Sequence, residues 1–492
     1  MTCLIACAGN LPAQPPGLPN VTPPPLPFSK SSDAETSESP ADLIQTVLSQ
    51  DGALPSPKAL LEAIGRQLDS ENPLDRINAL MAVEQQGELE TELKASLHEI
   101  LRDGESPLEK ILAAKSLVGT SDSSSNKLAF QTLASGLHSA DPAVASQSMV
   151  GLRAMGKQSE SAFMASLDAP QASTKALAAE SLGEIQSSAA TPKLVALLVD
   201  ANGRVRVAAA KSLGSTGRQE AIAPLVASLR NDPDLAVKAN SAASLLELAP
   251  NDADVHRALV AAIVKSDERT GLAIIRAIAN CKADPKTRAD TLAIALPQAK
   301  PAFASELISH LVEMEDAGMQ ALIRSLDEEN ARYWAAVALG DFGTNAASAG
   351  KNLAMVLGES TPDVQTEILL TLAKIKSTDS TVADAIVEQL DSKESGVRYA
   401  ATLATVRLNL DGEEVTGKLQ ANCASDDKVL ALVSSFALAK RNPSDLQLAK
   451  RTLDALAEAV RSGDKRLKPL ALEAIKELRE DSLRSFPLPS LP

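Results

Sequence analysis

The chain has 492 residues, a net charge of −15 at pH 7 and aromatic residues at only 2% of positions. Nucleic acid and anionic lipid surfaces attract clustered Lys and Arg, so this charge disfavours both as general partners. A chain of this length ordinarily holds about three domains. With so few aromatic side chains, however, its core must be built mainly from Ala and Leu.

The first forty residues form a segment of their own. Nine prolines stand among Ser, Asp and Glu between Pro12 and Pro40, a composition that favours an extended tether over a packed core. Ahead of it, Leu4 to Cys7 resembles the end of a bacterial lipoprotein signal. This resemblance implies an exported protein anchored to a membrane through acylated Cys7. A cleaved secreted form and a cytoplasmic protein are the alternatives.

From residue 41 to residue 480 one helical sequence motif is repeated thirteen times, most clearly at residues 205–214. Each copy has an anchor, apolar in every repeat but the eleventh, seven residues after a frequently basic position, and the steps between anchors run from 28 to 37 residues. We number the repeats by these anchors and count positions from them. The anchors of repeats 1 to 13 are Val83, Leu117, Leu152, Leu182, Leu213, Leu245, Ile278, Leu311, Leu339, Leu372, Thr405, Leu438 and Ile475.

Two columns of the repeat hold small residues. Positions −1 and −4 are mostly Ala, Ser, Thr or Gly, and they share one face of a helix. We expect this face to let another helix approach closely. Gly183, Gly214 and Gly340 directly follow anchors and are predicted to end their helices.

Position −7 is basic in eight repeats, and acids stand five to seven residues further upstream in many of them. We expect the acid to accept backbone N–H groups in the turn before the helix. We expect the base to reach this acid or its neighbour in the adjoining repeat. Together these groups would form a polar ladder between turns. The bases are Arg76, Lys110, Lys175, Arg206, Lys238, Arg332, Arg398 and Lys468, and the acids are Glu71, Glu105, Asp168, Asp200, Asp232, Asp327 and Asp391.

The phrases at 205–214, 332–340 and 397–401 resemble HEAT repeats of the subtype first recognised in phycobilin lyases. The resemblance implies an all-α fold, a right-handed α-solenoid of about thirteen antiparallel helix pairs. It also implies that the second helix of each pair lines the concave side. Because this family includes scaffolds, transport receptors and a few enzymes, it indicates the fold better than the function.

The exposed positions −2 and −6 of the motif helix are the predicted contact stripe. The chain has two Tyr and one Trp, namely Tyr333, Tyr399 and Trp334. Such residues frequently anchor interfaces, so all three are predicted contact residues. The alternative is that these three rings fill gaps between helices. The charged residues assigned to the stripe are Lys115, Glu180, Lys211, Arg276 and Glu473.

Repeats 7 and 8 depart from the pattern. Ile274 and Leu307 replace small residues, Gly271 and Ala304 replace the base, and His310 breaks the small column. Bulkier packing residues should separate or tilt neighbouring helices, so we predict a change of curvature near 265–325. Residues 481–492 are predicted to form a proline-rich tail.

The function predicted from these features is a non-catalytic scaffold or adaptor that binds a protein. No cofactor or metal is expected, since only His98 and Glu99 form a His-Glu pair of the kind that binds iron in HEAT hydroxylases. A lyase-like or hydroxylase-like enzyme and a structural subunit of a larger assembly are the alternatives. The identity of the partner and the oligomeric state stay open.

Overall fold

The computed structural model describes residues 57–83, 91–119, 122–462 and 467–481. All regular structure in these residues is helical, with 26 α-helices, five short 3-10 segments and no strand. The α-helices form thirteen antiparallel pairs. The prediction of an all-α helical solenoid is therefore confirmed.

The chain forms two compact units that divide between Ala249 and Pro250. In the first unit the helices are α1 (Pro57–Leu68), α2 (Pro73–Val83), α3 (Thr91–Asp103), α4 (Pro107–Leu117), α5 (Ser123–Gly136), α6 (Pro142–Ala154), α7 (Glu160–Ser166), α8 (Ala172–Glu184), α9 (Thr191–Leu197), α10 (Gly203–Ser215), α11 (Ile222–Asn231) and α12 (Leu235–Leu248). Each even-numbered helix here carries one anchor. We call these the motif helices, and the odd-numbered ones the partner helices.

The second unit continues the alternation. Its helices are α13 (Ala253–Lys265), α14 (Glu268–Asn280), α15 (Pro285–Ala295), α16 (Pro301–Glu313), α17 (Glu315–Ser325), α18 (Arg332–Asp341), α19 (Gly350–Leu357), α20 (Pro362–Ile375), α21 (Ser380–Gln389), α22 (Ser395–Arg407), α23 (Glu413–Cys423), α24 (Lys428–Arg441), α25 (Leu446–Arg461) and α26 (Leu467–Asp481). All thirteen anchors lie in motif helices. Each is buried, and the most exposed of the apolar anchors, Leu438, is 5% exposed.

Turn chemistry explains where many of these helices begin. Asp or Asn side chains accept a backbone N–H of the first turn, as Asn202 does before α10 and Asp234 before α12. Proline opens α4, α6, α15, α16 and α20, where its missing N–H costs nothing. Hydrogen bonds from the Thr270, Thr287 and Thr381 side chains lower the pKa of the capping carboxyls of Asp267, Asp284 and Asp379. The caps are thus strongest when these carboxyls are ionised.

The three glycines that follow anchors do not end their helices, so this prediction was wrong. Gly183, Gly214 and Gly340 lie inside α8, α10 and α18, one residue before each helix ends, and all three are buried. A Cβ on Gly214 would lie 2.7 Å from Ser244 Oγ and 2.9 Å from Ser244 Cα. The glycines are therefore points where the next motif helix approaches closely.

A hydroxyl of the next repeat occupies the space that each glycine leaves. Ser244 Oγ donates to the carbonyl of Ala210 at 2.7 Å, and Thr371 Oγ1 donates to the carbonyl of Ala336 at 2.8 Å. Both hydroxyls stand at position −1, in the small-residue column. The close packing predicted for this column thus includes a buried hydrogen bond between successive motif helices.

The polar ladder is present in part. Three of its bases, Arg76, Lys175 and Arg206, reach forward to an acid of the next repeat. Four others donate to backbone carbonyls of their own turn, namely Lys110, Lys238, Arg332 and Arg398. Arg206 donates two hydrogen bonds to the Asp232 carboxylate, at 2.8 and 3.0 Å, and a third to the Asp200 carbonyl of its own turn. Lys175 Nζ binds Asp200 at 2.9 Å. Arg76 pairs in the same way with Glu109, which the sequence pattern had not singled out. These contacts couple the turns of neighbouring repeats.

Repeats 7 and 8 have their own local packing. Ile274 and Leu307 are fully buried, and the Phe303 ring packs so closely on Gly271 that an added Cβ would lie 2.5 Å from it. The change of curvature near 265–325 stays a prediction. The leader at 1–40, with Cys7, and residues 482–492 lie outside the described residues.

Candidate functional site

Positions −6, −2 and +2 of a motif helix are one turn apart and share a face. In the first unit this face carries mixed side chains at position −2. Lys211 is exposed, Glu180 is partly buried, and Lys115 Nζ donates to Gln147 Oε1 at 2.8 Å. Met81 and Val150 occupy the same column and are each 45% exposed. Apolar and charged groups alternate here without forming one type of surface.

In the second unit the first predicted contact residue lies in α14. Arg276 is exposed and its Nε donates to Glu306 Oε1 at 2.7 Å, across to the next motif helix. His310 of the same helix as Glu306 contacts Glu306 at 3.5 Å and Glu313 at 2.8 Å. Arg276, Glu306, His310 and Glu313 therefore form a polar network on α14 and α16, which precede the aromatic residues in the sequence.

The aromatic side chains lie in α18 and α22. Tyr333 is 39% exposed and meets the Trp334 ring edge to face, with 5.4 Å between ring centroids. Trp334 and Tyr399 are partly buried. Burial raises the pKa of both tyrosines, and the Glu367 and Asp363 carboxylates add to the effect at Tyr333. Thus the rings are packed on the protein on one side and reach solvent on the other.

Partly exposed apolar residues occupy positions −6 and −2, on the same helix face as the two tyrosines. Val337, Leu370 and Leu403 occupy position −2 of α18, α20 and α22, and Leu432 occupies position −6 of α24; all four are partly exposed. We call the six residues Tyr333, Val337, Leu370, Tyr399, Leu403 and Leu432 the aromatic face. The four aliphatic members were not among the predicted contact residues, which are all charged or aromatic. The signal was present, since all four occupy the same two columns.

A row of bases borders the aromatic face at position +2. Lys374, Arg407 and Lys440 hold this position in repeats 10, 11 and 12, and no other repeat has a base there. Lys440 Nζ lies 2.6 Å from Glu477 Oε2 and 5.9 Å from the Phe436 ring centroid. Asp341 and Glu477 occupy position +2 in repeats 9 and 13. The basic row is therefore three repeats long and bounded by an acid at each end.

One carboxyl beside the aromatic face has an unusual environment. Glu367 lies on α20 at position −5 and is partly buried. Burial raises the pKa of its carboxyl, while Lys374 opposes this shift and Asp341 adds to it. A carboxyl of this kind makes the stability of the face depend on pH.

Other polar clusters have structural explanations. A depression of about 600 Å³ lies along partner helices α13, α15 and α17, and His256 at its rim bonds Pro250 O at 2.8 Å and Thr291 Oγ1 at 3.1 Å. His98, of the His-Glu pair, has its Nε2 2.6 Å from Ser125 Oγ. The described residues contain no group of three or more His, Cys, Asp or Glu that could hold a metal ion. None of the described helices is long and apolar enough to cross a bilayer.

Comparisons with known proteins identify the repeat. HEAT repeats are recognised by a family model over residues 160–246, which include α8, α10 and most of α12. No curated protein matches the chain. The subtype found in phycobilin lyases, which the sequence phrases resemble, is not distinguished by these matches.

Several solved structures have a similar helical fold. Kap121p bound to RanGTP is 14% identical at a TM-score of 0.40, with 85% of this chain and 52% of that chain covered. Kap121p bound to Nup53p is 14% identical at a TM-score of 0.42, with coverages of 88% and 54%. A Kap95p structure with RanGDP is 11% identical at 0.39, with coverages of 90% and 76%. The chain spans about half the length of Kap121p, and likeness at this level assigns neither partner nor function.

Proposed function

We propose that this protein is a non-catalytic scaffold that binds a protein partner on the aromatic face. The observation that carries this proposal is the run of apolar and aromatic residues across α18, α20, α22 and α24, all at positions −6 and −2. Tyr and Trp supply large contact areas at low cost in side-chain entropy, and they are enriched among residues that dominate binding energy. The net charge of −15 argues against nucleic acid as the partner.

The arrangement favours a binding surface over a packed core. Tyr333 is 39% exposed, so its ring does not fill a gap in the interior. It is one of only three Tyr and Trp residues in the chain. Trp334 braces it from the side at an angle of 84° between ring planes. A braced, partly exposed ring is preorganised for contact because little side-chain freedom remains to be lost on binding.

Photo-crosslinking in the cells that make the protein tests this proposal. A photoreactive residue replaces Thr366, which lies at position −6 of α20, in the repeat between Tyr333 and Tyr399 and in the same column. The control replaces Asp384, an exposed residue of partner helix α21. We expect a discrete protein adduct from position 366 alone. Tyr333→Ala combined with Tyr399→Ala should abolish it. Equal yields at both positions, or an adduct unaffected by the tyrosine substitutions, would overturn the proposal.

Two finer features also stay proposals. Acylation at Cys7 would tether the scaffold to a membrane, and it rests on the residues from Leu4 to Cys7 alone. The lyase-type subtype of the repeat rests on the phrases at 205–214, 332–340 and 397–401. Neither feature is needed for binding on the aromatic face.

A further inference from the structure

We propose that the aromatic face takes an extended, acidic, proline-containing segment of a partner protein. This inference rests on the proposed function and specifies the chemistry of the partner. It is carried by three features of one surface: the spacing of the motif helices, the rings, and the basic row.

Spacing favours a polyproline II segment. Neighbouring packed helices lie about 8–10 Å apart. A polyproline II helix advances about 9.3 Å in each turn of three residues, so every third residue returns to the same side at about the helix spacing. Residues three apart in such a segment would therefore contact successive motif helices of the aromatic face.

The rings suit the same ligand. Proline-rich segments bind in grooves lined by aromatic side chains, because the preformed extended backbone loses little entropy and the pyrrolidine rings pack on aromatic surfaces. Tyr333 and Tyr399 lie two repeats apart on this face, and Leu370 of the repeat between them offers an apolar contact. The surface thus offers a ring in repeat 9, a ring in repeat 11 and an aliphatic contact in the repeat between them.

The basic row specifies charge and register. Lys374 and Arg407 recur once per repeat beside the aliphatic residues, so they match acids three residues apart in a polyproline II segment, whereas Lys440 already pairs with Glu477. Asp341 and Glu477 bound the row, while Asp363 and Glu367 lie near Tyr333. Acidic residues of the partner therefore belong over repeats 10 and 11, away from the carboxylates near repeat 9.

A direct titration tests the inference, because the single Trp of the chain, Trp334, touches Tyr333 and reports on this face. The probe is a peptide of five Pro-Glu-Leu triplets, which contains no aromatic residue. Its matched control contains five Pro-Lys-Leu triplets. With the full chain we expect a saturable change of Trp emission with the acidic peptide, and binding at least about tenfold weaker with the basic one.

Substitutions locate the contact. Lys374→Glu and Arg407→Glu should each weaken the acidic peptide about five- to tenfold, whereas Lys351→Glu, the same charge change on exposed partner helix α19, should have no effect. Far-UV circular dichroism confirms that each variant is folded, and Arg407→Glu gives the answer if Lys374→Glu is not. Equal binding of the two peptides, no change of emission, or equal loss with Lys351→Glu would overturn the inference. An acidic amphipathic α-helical peptide of equal charge that binds more tightly would also overturn it. If position 366 still crosslinks a protein in cells after such a result, the proposed function stands and only the partner chemistry falls.

Discussion

The close approach of successive motif helices predicts that Gly214→Ala destabilises the first unit. In an exposed helix this change is stabilising, because Ala has the higher helix propensity by about 1 kcal/mol. At Gly214 the new Cβ would lie 2.9 Å from Ser244 Cα, a backbone atom of α12. Ordinary carbon contacts are about 3.5–4.0 Å, so α10 and α12 must separate by a substantial part of an ångström.

The expected size follows from three contributions. Forcing extra volume into a packed interior costs about 1–3 kcal/mol. Displacing Ser244 also weakens its 2.7 Å hydrogen bond to Ala210 O, which contributes about 1 kcal/mol. The gain in helix propensity, about 1 kcal/mol, offsets part of this. We therefore expect the free energy of unfolding to fall by about 1–3 kcal/mol.

Urea unfolding followed by circular dichroism measures the change, and hydrogen exchange of peptides from α10 and α12 localises it. Gly417→Ala in α23 is the matched control, because nothing lies within 4 Å of a Cβ at that exposed position. We expect Gly417→Ala to stabilise by about 0.5–1 kcal/mol. If Gly214→Ala stabilises the protein as much as Gly417→Ala does, the close-approach explanation is refuted. Faster exchange confined to other helices would refute it as well.

Two further predictions concern charged groups. Arg206→Leu removes the partner of Asp232, whose side chain is 6% exposed, and should lower the free energy of unfolding in urea by about 2–4 kcal/mol. Arg257→Leu breaks the exposed pair with Asp254 and should lower it by less than about 0.5 kcal/mol. Equal losses for the two variants would mean that burial of the Arg206–Asp232 pair does not increase its contribution to stability. Glu367→Gln should raise the melting temperature at pH 7.5. Burial raises the pKa of the Glu367 carboxyl in the folded protein, so the protonated carboxyl stabilises the fold at low pH. This stabilisation is lost as the pH rises from the ordinary carboxyl pKa of 4.5 through the folded value, and Gln, which stays neutral, does not lose it. This difference should vanish by pH 4, and a variant that melts lower than the parent at pH 7.5 would contradict the assignment.

Much of the fold could be read from the sequence because its determinants are local to each helix. An apolar anchor and small residues at positions −1 and −4 define a helix face by the 3.6-residue period alone. The anchors predicted from this period, such as Leu213 and even the polar Thr405, are all buried. Less of the candidate site could be predicted, because exposure depends on how neighbouring helices cover one another.

The sequence by itself determined the repeat period, the thirteen helix pairs and part of the polar ladder. Only the tertiary structure decided that Arg206 pairs forward with Asp232, that Gly214 is a contact point instead of a helix end, and that Leu370 and Leu403 join the rings on one partly exposed face. The physical reason is that each of these features depends on the offset between successive repeats. Packing between motif helices sets that offset, and no periodicity within a single helix contains it.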